Sequence, residues 1–204
     1  MRMVKDMLVG YTAPSHPNSG YSCISMAQKA TVLKSHLQIA DMDRGYYHEH
    51  RLTVAQHASE TDERMMVRLL AFALHASDDL QFTKGLSADD EPDVWQKSLT
   101  DEVEVWIDVG LPDEKRIRKA CGRAKQVYIY VYGGRAAQLW WEQASVKSLR
   151  FDNLKVINLP QPATKALAGL AQRSMDLQCT IQEGQVWVSG ADITVVVDVE
   201  VLKQ

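Results

Sequence analysis

The stretch of residues 102–132 constrains the fold of this chain most strongly, because it has the pattern of a strand, a helix and a second strand. Alternating apolar residues predict a strand over Glu102–Val109. Pro112 then opens a helix that has acids in its first turn. Val127–Tyr132 is a short apolar run that is typical of a strand buried on both faces. Two such strands pair in parallel through a right-handed crossover, so we expect an α/β protein whose mixed β-sheet is flanked by helices.

The segments around this unit predict an N-terminal β-hairpin and a long helix. Ala30–Ile39 and Tyr46–Gln56 have strand patterns on either side of a turn. Ser59–Leu74 is the clearest helix of the chain, with acids in its first turn. The later pattern predicts, in chain order, a short strand at Leu80–Thr83, an extended segment at Val94–Lys97, a helix at Arg135–Lys147, a strand at Leu154–Leu159, a helix at Ala163–Arg173 and three antiparallel C-terminal strands.

The first 25 residues differ in composition from the rest of the chain. Their apolar stretch is too short for a signal peptide, and Pro14, Pro17 and Gly20 are typical of a loop. We therefore expect Met26 to be the working start, with residues 1–25 either a disordered extension or the result of a start codon assigned too far upstream, and residues 26–204 to form a single domain.

Charge and cysteine content restrict the classes of partner and the cellular compartment. A net charge of −3 argues against general attraction to nucleic acid and leaves room for a small local basic patch. Cys23, Cys121 and Cys179 are odd in number and far apart, which favours a reducing compartment such as the cytoplasm. No apolar run reaches the roughly 18 residues that a membrane span needs.

Three carboxylates on separate predicted elements form a candidate metal site. Glu63 starts the apolar stripe of the Ser59–Leu74 helix, where an acid costs free energy unless it is paired or bound to a metal. Asp93 lies at the edge of an acidic loop, and Asp108 lies on the strong strand. Carboxylates held by rigid elements suit Mg²⁺ or Mn²⁺, so the pattern favours metal-dependent phosphodiester cleavage. Asp90 or Glu91 would replace Asp93 if the loop register differed.

The spacing of two of these acids resembles the motif of the PD-(D/E)XK nucleases. Pro92-Asp93 is followed, after fourteen residues, by Asp108-Val109-Gly110. Gly110 stands where that motif has a lysine, which would orient the nucleophile or neutralise charge on the phosphate. The missing lysine favours a protein that has kept the fold and lost catalysis.

Four longer segments carry a more specific resemblance. SETDERMMVRLLAFAL, LQFTKGLSADDEPDVW, WIDVGLPDEKRIRKAC and RAAQLWW, in this order and spacing, resemble the YaeQ family of bacterial proteins from about Met26 to the C-terminus. The resemblance implies a variant of the PD-(D/E)XK fold and brings no established substrate. It marks the following positions: Glu63, Asp89, Asp90, Glu91, Pro92, Asp108, Gly110, Arg116, Lys119, Arg135, Gln138 and Trp140.

Three basic residues are candidates for the role of the missing lysine. Lys119 lies roughly 150° from the buried stripe of its helix, at about 100° per residue, and is expected to face solvent. Arg116 flanks that stripe and is better aimed, although an arginine cannot act as a base. Lys84 in the acidic loop is a third candidate. Gln138, near the start of its helix, could bind an anion or a metal-bound water.

Each of these signals also has a structural interpretation. Glu63 could close an ion pair with Arg116, Arg135 or Lys119, and Asp108 could pair at a strand end. We expect one of Trp140 and Trp141 in the core and the other on the surface, in preference to a base-stacking pair. His48 and His50 share a strand face but have no evident third metal ligand. The first hypothesis, which the retained acids favour, is a Mg²⁺- or Mn²⁺-dependent nuclease or related phosphodiesterase. The alternative is a non-catalytic module that binds protein or nucleic acid.

Overall fold

The computed structural model describes residues 30–84, 90–148 and 150–204. The proposed extension at residues 1–25 and Asp89 lie outside these residues. The strands are β1 (Thr31–Asp41), β2 (Tyr46–Gln56), β3 (Leu80–Phe82), β4 (Val94–Lys97), β5 (Val103–Val109), β6 (Ala124–Val131), β7 (Leu154–Asn158), β8 (Ser174–Gln182), β9 (Gln185–Gly190), β10 (Ile193–Asp198) and β11 (Glu200–Lys203). The helices are α1 (Asp62–His75), α2 (Glu114–Arg123), α3 (Arg135–Ser148) and α4 (Gln161–Ala168).

The strands form two mixed sheets, and this corrects the expectation of one. The first sheet has five strands in the order β10-β9-β8-β1-β2, and the second has six in the order β11-β7-β6-β5-β4-β3. The predicted hairpin and the antiparallel C-terminal strands are present. They join through a parallel pairing of β1 with β8, which sets Leu37 beside Leu177. A pairing across so many residues leaves no local pattern, so the sequence could not reveal the second sheet.

The predicted strand–helix–strand unit lies at the centre of the second sheet. β5, β6 and β7 are parallel neighbours, and α2 and α3 connect them in turn. Residues of α2 and α3 share a core with one face of these strands; Ile117, Ala137, Trp106 and Val127 belong to it. The residues that alternate with them on β5, such as Ile107, belong to a separate core on the opposite face. The second sheet is therefore covered on both faces.

Helix α1 lies between the two sheets. The sequence predicts one apolar stripe, yet nine consecutive residues from Met65 to Ala73 are buried. The core around them includes Leu37 of the first sheet and Ile107 of the second. A helix that is apolar on nearly all sides is expected where it is enclosed by other elements.

The ends of some elements differ from the prediction. Helix α1 starts two residues later than a Ser59 cap would place it, because the Thr61 hydroxyl accepts the Arg64 N–H at 3.2 Å. Helix α4 ends at Ala168, well before Arg173. A fourth C-terminal strand, β11, leaves the first sheet and pairs with β7 in the second. Within the described ranges, no helix is long and apolar enough to cross a membrane.

Candidate functional site

The structure brings two of the predicted acids together at one end of the second sheet. Asp93 comes immediately before β4, and Asp108 is the penultimate residue of β5. The antiparallel register sets Val94 opposite Ile107, so the two aspartates follow side by side on the adjacent strands. Each is only 2% exposed. Two buried carboxylates this close require compensating positive charge.

Arg64 of α1 supplies that charge for Asp93. The Arg64 Nη2 lies 2.8 Å from Asp93 Oδ1 and 2.9 Å from Oδ2. The Val109 backbone N–H also donates to Oδ2, at 2.8 Å. Burial by itself lowers the pKa of Arg64, but Asp93 and Glu60 outweigh it and raise that pKa. Both oxygens of Asp93 are therefore occupied by N–H donors.

Arg116 of α2 holds Asp108 through a two-point contact. The Arg116 Nε donates to Asp108 Oδ2 at 2.9 Å, and its Nη2 donates to Oδ1 at 2.7 Å. Burial raises the pKa of Asp108, and the hydrogen bonds from Arg116 oppose that rise. The same Nη2 donates to the Glu91 carbonyl at 2.8 Å, which ties the end of the acidic loop to α2. This fork geometry is specific to arginine, so a lysine would not replace it.

Glu60, which lies just before α1, and Arg68 of α1 extend these pairs into a larger cluster. Glu60 accepts from Arg64 at 2.8 Å and from Arg68 at 2.7 Å, and the Arg68 and Glu60 side chains are 1% and 2% exposed. We call Glu60, Arg64, Arg68, Asp93, Asp108 and Arg116 the acid–arginine network. It contains three acids and three arginines, so its formal charge is balanced.

The sequence prediction missed the α1 members of this network. A signal for them is present, since Arg64 and Arg68 follow Glu60 at intervals of four residues, which is the spacing of side chains that meet along a helix. Arg68 also interrupts an otherwise apolar run, where a buried charge needs a partner.

Glu63 is not part of this network. Its Oε1 accepts the hydroxyl of Thr164 of α4 at 2.6 Å, and Thr164 is fully buried. The alternative ion pair from Glu63 to Arg116, Arg135 or Lys119 does not form among the described residues. The one-residue step from Glu63 to Arg64 turns the two side chains to different faces of α1, so Arg64 reaches Asp93 and Glu63 meets α4.

The remaining predicted residues lie around the network. Lys119 forms an ion pair with Asp90. The side chains of Lys119 and Asp90 are 32% and 82% exposed to solvent. Gln138 is exposed in the first turn of α3, and no side-chain contact joins it to Asp108 within the described ranges. Lys84 is also exposed. These positions therefore do not supply a base to the buried aspartates.

Gly110 has a conformational reason for replacing the lysine of the nuclease motif. Its φ is +109°, a backbone conformation that residues other than glycine rarely adopt. Its N–H donates to the Tyr130 carbonyl at 2.9 Å. Nothing lies within 4 Å of a Cβ placed there. A lysine at this position would have room and would be strained by its backbone.

The donor set does not fit a divalent metal. Both oxygens of Asp93 and both oxygens of Asp108 accept hydrogen bonds from arginine or backbone N–H groups. Within the described ranges, no group of three or more His, Cys, Asp or Glu side chains could hold a metal ion. His48 and His50 instead stack near Tyr46, whose hydroxyl lies 2.8 Å from His50 Nε2.

A groove lies between α2 and α3 on this side of the second sheet. It encloses about 360 Å³, and its lining includes Leu111, Ile117, Trp140 and Phe151. Both Trp140 and Trp141 are half-buried, so the expectation of one core and one surface tryptophan is wrong. The Trp140 Nε1 donates to the Pro112 carbonyl at 2.9 Å, which fixes its ring as one wall.

One acid and three bases lie at the mouth of this groove. Glu114 accepts from Arg118 at 2.8 Å, from Lys147 at 2.8 Å and from Arg150 at 3.1 Å. Lys147 and Arg118 hydrogen-bond the carboxylate and lower the pKa of Glu114 to about 2. We call these four residues the Glu114 cluster. In contrast to the buried network, it carries a surplus of two positive charges.

Comparison with known proteins gives consistent matches over nearly the whole chain. A model of the family described as "YaeQ protein" matches residues 26–199. The uncharacterized protein YaeQ of Salmonella typhi is 48% identical over 166 residues, which cover 81% of this chain and 92% of that protein. The uncharacterized protein YaeQ of Escherichia coli K12 is 47% identical over 164 residues, which cover 80% of this chain and 91% of that protein.

Two solved structures share the fold. The crystal structure of YaeQ from Xanthomonas axonopodis pv. citri has a TM-score of 0.83 and 50% identity, and the match covers 85% of this chain and 98% of that one. The YaeQ structure from Pseudomonas syringae also has a TM-score of 0.83, with 35% identity over 86% of this chain and 97% of that one. Sequence, family and structure agree, and the chain belongs to the YaeQ family.

Proposed function

We propose that this protein is a nucleic-acid-binding module that keeps a PD-(D/E)XK-like core without metal-dependent cleavage. The observation that carries the proposal is the division of charge between two regions. The buried acids are neutralised by arginines within the acid–arginine network. The exposed surface of α2 and α3 has more bases than acids.

The basic surface is local and contrasts with the acidic chain as a whole. Residues 113–152 contain nine lysines and arginines against four aspartates and glutamates, although the net charge of the chain is −3. In α2, five of the ten residues are lysine or arginine, and Glu114 is the single acid. Lysines and arginines concentrated along a helix are the electrostatic footprint of phosphate binding.

Loss of cleavage follows from the chemistry of the acids. A metal at Asp93 and Asp108 would have to displace Arg64 and Arg116 from their carboxylates and leave both guanidinium groups without these partners in a largely enclosed site. Gly110 removes the lysine that would act on the phosphate. The adjacency of Asp93 and Asp108 favours a second function, that of a Mg²⁺- or Mn²⁺-dependent nuclease. The experiment described next distinguishes the two functions.

The test combines metal binding with nucleic-acid binding on the full chain. We expect calorimetry to detect no stoichiometric Mg²⁺ or Mn²⁺ site, and labelled oligonucleotides to bind without being cut. The affinity should fall as salt rises, because phosphate contacts release counterions. Lys147→Glu should weaken binding, while Arg51→Glu, an equal charge reversal on the exposed face of β2, should not.

Two results would contradict the proposal. Stoichiometric metal binding that disappears in Asp108→Ala, together with cleavage products, would establish the nuclease instead. No binding of DNA or RNA at about 50 mM salt, where phosphate contacts are strongest, would exclude a nucleic-acid partner.

A further inference from the structure

The groove between α2 and α3 has the size of a small-molecule site and is too small for a folded partner. Its volume of about 360 Å³ is at the lower end of ligand pockets, which start near 300 Å³. Its apolar walls come from Ile117 on α2, from Trp140 on α3 and from Phe151 in the segment after α3. A planar aromatic ligand suits such walls, because large rigid rings offer area at low entropic cost.

The two rings of the groove are held in place before any ligand arrives. Trp140 is fixed by its hydrogen bond to the Pro112 carbonyl. The guanidinium of Arg150 lies 4.8 Å from the centre of the Phe151 ring. Fixed aromatic faces beside a cation are the elements with which proteins stack the bases of single strands.

The Glu114 cluster adds a site for an anion at the mouth of the groove. Three bases share one carboxylate, and the side chains of Arg118, Lys147 and Arg150 are 62%, 60% and 50% exposed. Glu114 and Lys147 also line the groove, so the cluster and the apolar walls are continuous. Glu114 occupies the place that a phosphate would take and therefore competes with it.

We propose that this groove takes one unstacked base of a single-stranded nucleic acid, while Arg118, Lys147 and Arg150 bind the neighbouring phosphate. This inference rests on the proposed nucleic-acid-binding function and specifies its substrate. A duplex keeps its bases stacked in its interior. Its phosphates can therefore contact Arg118, Lys147 and Arg150, but none of its bases can enter the groove. The protein should therefore prefer single strands.

The experiment measures binding of the protein by fluorescence anisotropy, using labelled single strands of twelve dT or twelve rU nucleotides and a labelled twelve-base-pair duplex. We expect the wild-type protein to bind the single strands about 10-fold more tightly than the duplex, which corresponds to the stacking of one base. Ala144→Phe fills the groove without altering charge and should remove this preference. Glu114→Gln removes the competing carboxylate and should tighten binding of single strands by about threefold, while Arg51→Glu should leave it unchanged.

The outcomes separate this inference from the function on which it rests. Equal binding of duplex and single strand, with no effect of Ala144→Phe, would overturn the groove assignment and leave the binding function intact. Failure of all three probes would overturn both. Tighter binding of a twelve-residue poly-glutamate peptide than of the oligonucleotides, lost in Ala144→Phe, would overturn the nucleic-acid assignment in favour of an acidic protein segment.

Discussion

The acid–arginine network and the Glu114 cluster use the same kinds of side chain under opposite conditions. In the network, Asp93 and Asp108 are 2% exposed, and three acids meet three arginines. In the Glu114 cluster, one acid meets three bases that are half or more exposed. Buried charge has to be balanced because the cost of an unpaired ion is large, whereas water tolerates an imbalance at the surface. Balance therefore indicates a structural role for the network, and the surplus leaves the Glu114 cluster free to bind an anion.

The strongest test of this difference is to remove the acid that Arg64 holds. Asp93→Ala should lower the free energy of unfolding by about 3–5 kcal/mol, because the largely buried Arg64 guanidinium then has to share the single carboxylate of Glu60 with Arg68. Denaturant unfolding measures this loss. Asp93→Asn is the matched control: it keeps a side-chain acceptor for the Val109 N–H and should lose less. A loss below about 1 kcal/mol for Asp93→Ala would mean that the network is not structural.

A buried histidine provides a second test through pH. Burial lowers the pKa of His75 to about 3, and its Nε2 lies 2.7 Å from the Tyr130 hydroxyl. Below pH 6.5 the unfolded chain takes up a proton that folded His75 does not, so stability falls as the pH falls from 6.5 towards 3. The expected loss is about 2 kcal/mol between pH 6.5 and 5, at about 1.4 kcal/mol per unit.

The matched variant for this test is His75→Gln, measured by denaturant unfolding at pH 7 and pH 5. Glutamine retains a polar partner for Tyr130 and does not titrate. The loss of unfolding free energy between pH 7 and pH 5 should therefore be smaller in the variant by the amount that the titration of His75 contributes. An identical loss in both proteins would show that folded His75 takes up its proton over the same pH range as it does in the unfolded chain.

A smaller effect is expected at the other aspartate of the network. The side chain of Arg116 is 29% exposed, so it can turn towards water when its partner is lost. Burial also raises the pKa of Asp108, which means that ionised Asp108 is partly destabilised in the native protein. Asp108→Asn should therefore cost only about 1 kcal/mol. A loss equal to that of Asp93→Ala would show that the two pairs act as one unit.

The smallest effect on stability is expected at Glu114. This carboxylate is exposed to solvent, and surface ion pairs contribute little to folding. We expect Glu114→Gln to leave the unfolding midpoint at neutral pH unchanged. A clear destabilisation at pH 7 would give the cluster a structural role.

Local pattern alone was enough to predict most elements of the second sheet. The alternation of Glu102–Val109 and the apolar run at Val127–Tyr132 correspond to β5 and β6, and their parallel pairing is confirmed. Of the three acids that the sequence analysis grouped into one site, Asp93 and Asp108 lie side by side on adjacent strands, and Glu63 instead contacts Thr164. Such patterns predict the folded elements because the spacing of apolar residues reflects which face of a strand or helix is buried.

The partners of the acids could not be predicted in the same way. Arg64 precedes Asp93 by 29 residues, and no periodicity shows that its guanidinium reaches that carboxylate. Glu63 and Arg64 are neighbours in sequence, yet one meets Thr164 and the other meets Asp93. Which of the two reaches the site depends on how α1 is rotated between the sheets.

The sequence by itself determined most of the elements, the α/β class and the family of this protein, because periodicity and motif order are local properties. Only the tertiary structure decided that β1 pairs with β8 in a second sheet and that arginines neutralise the buried acids. It also decided that the rings of Trp140 and Phe151 line one groove with the Glu114 cluster at its mouth. These features depend on contacts between distant residues, whose free energy is realised only when the whole core has assembled.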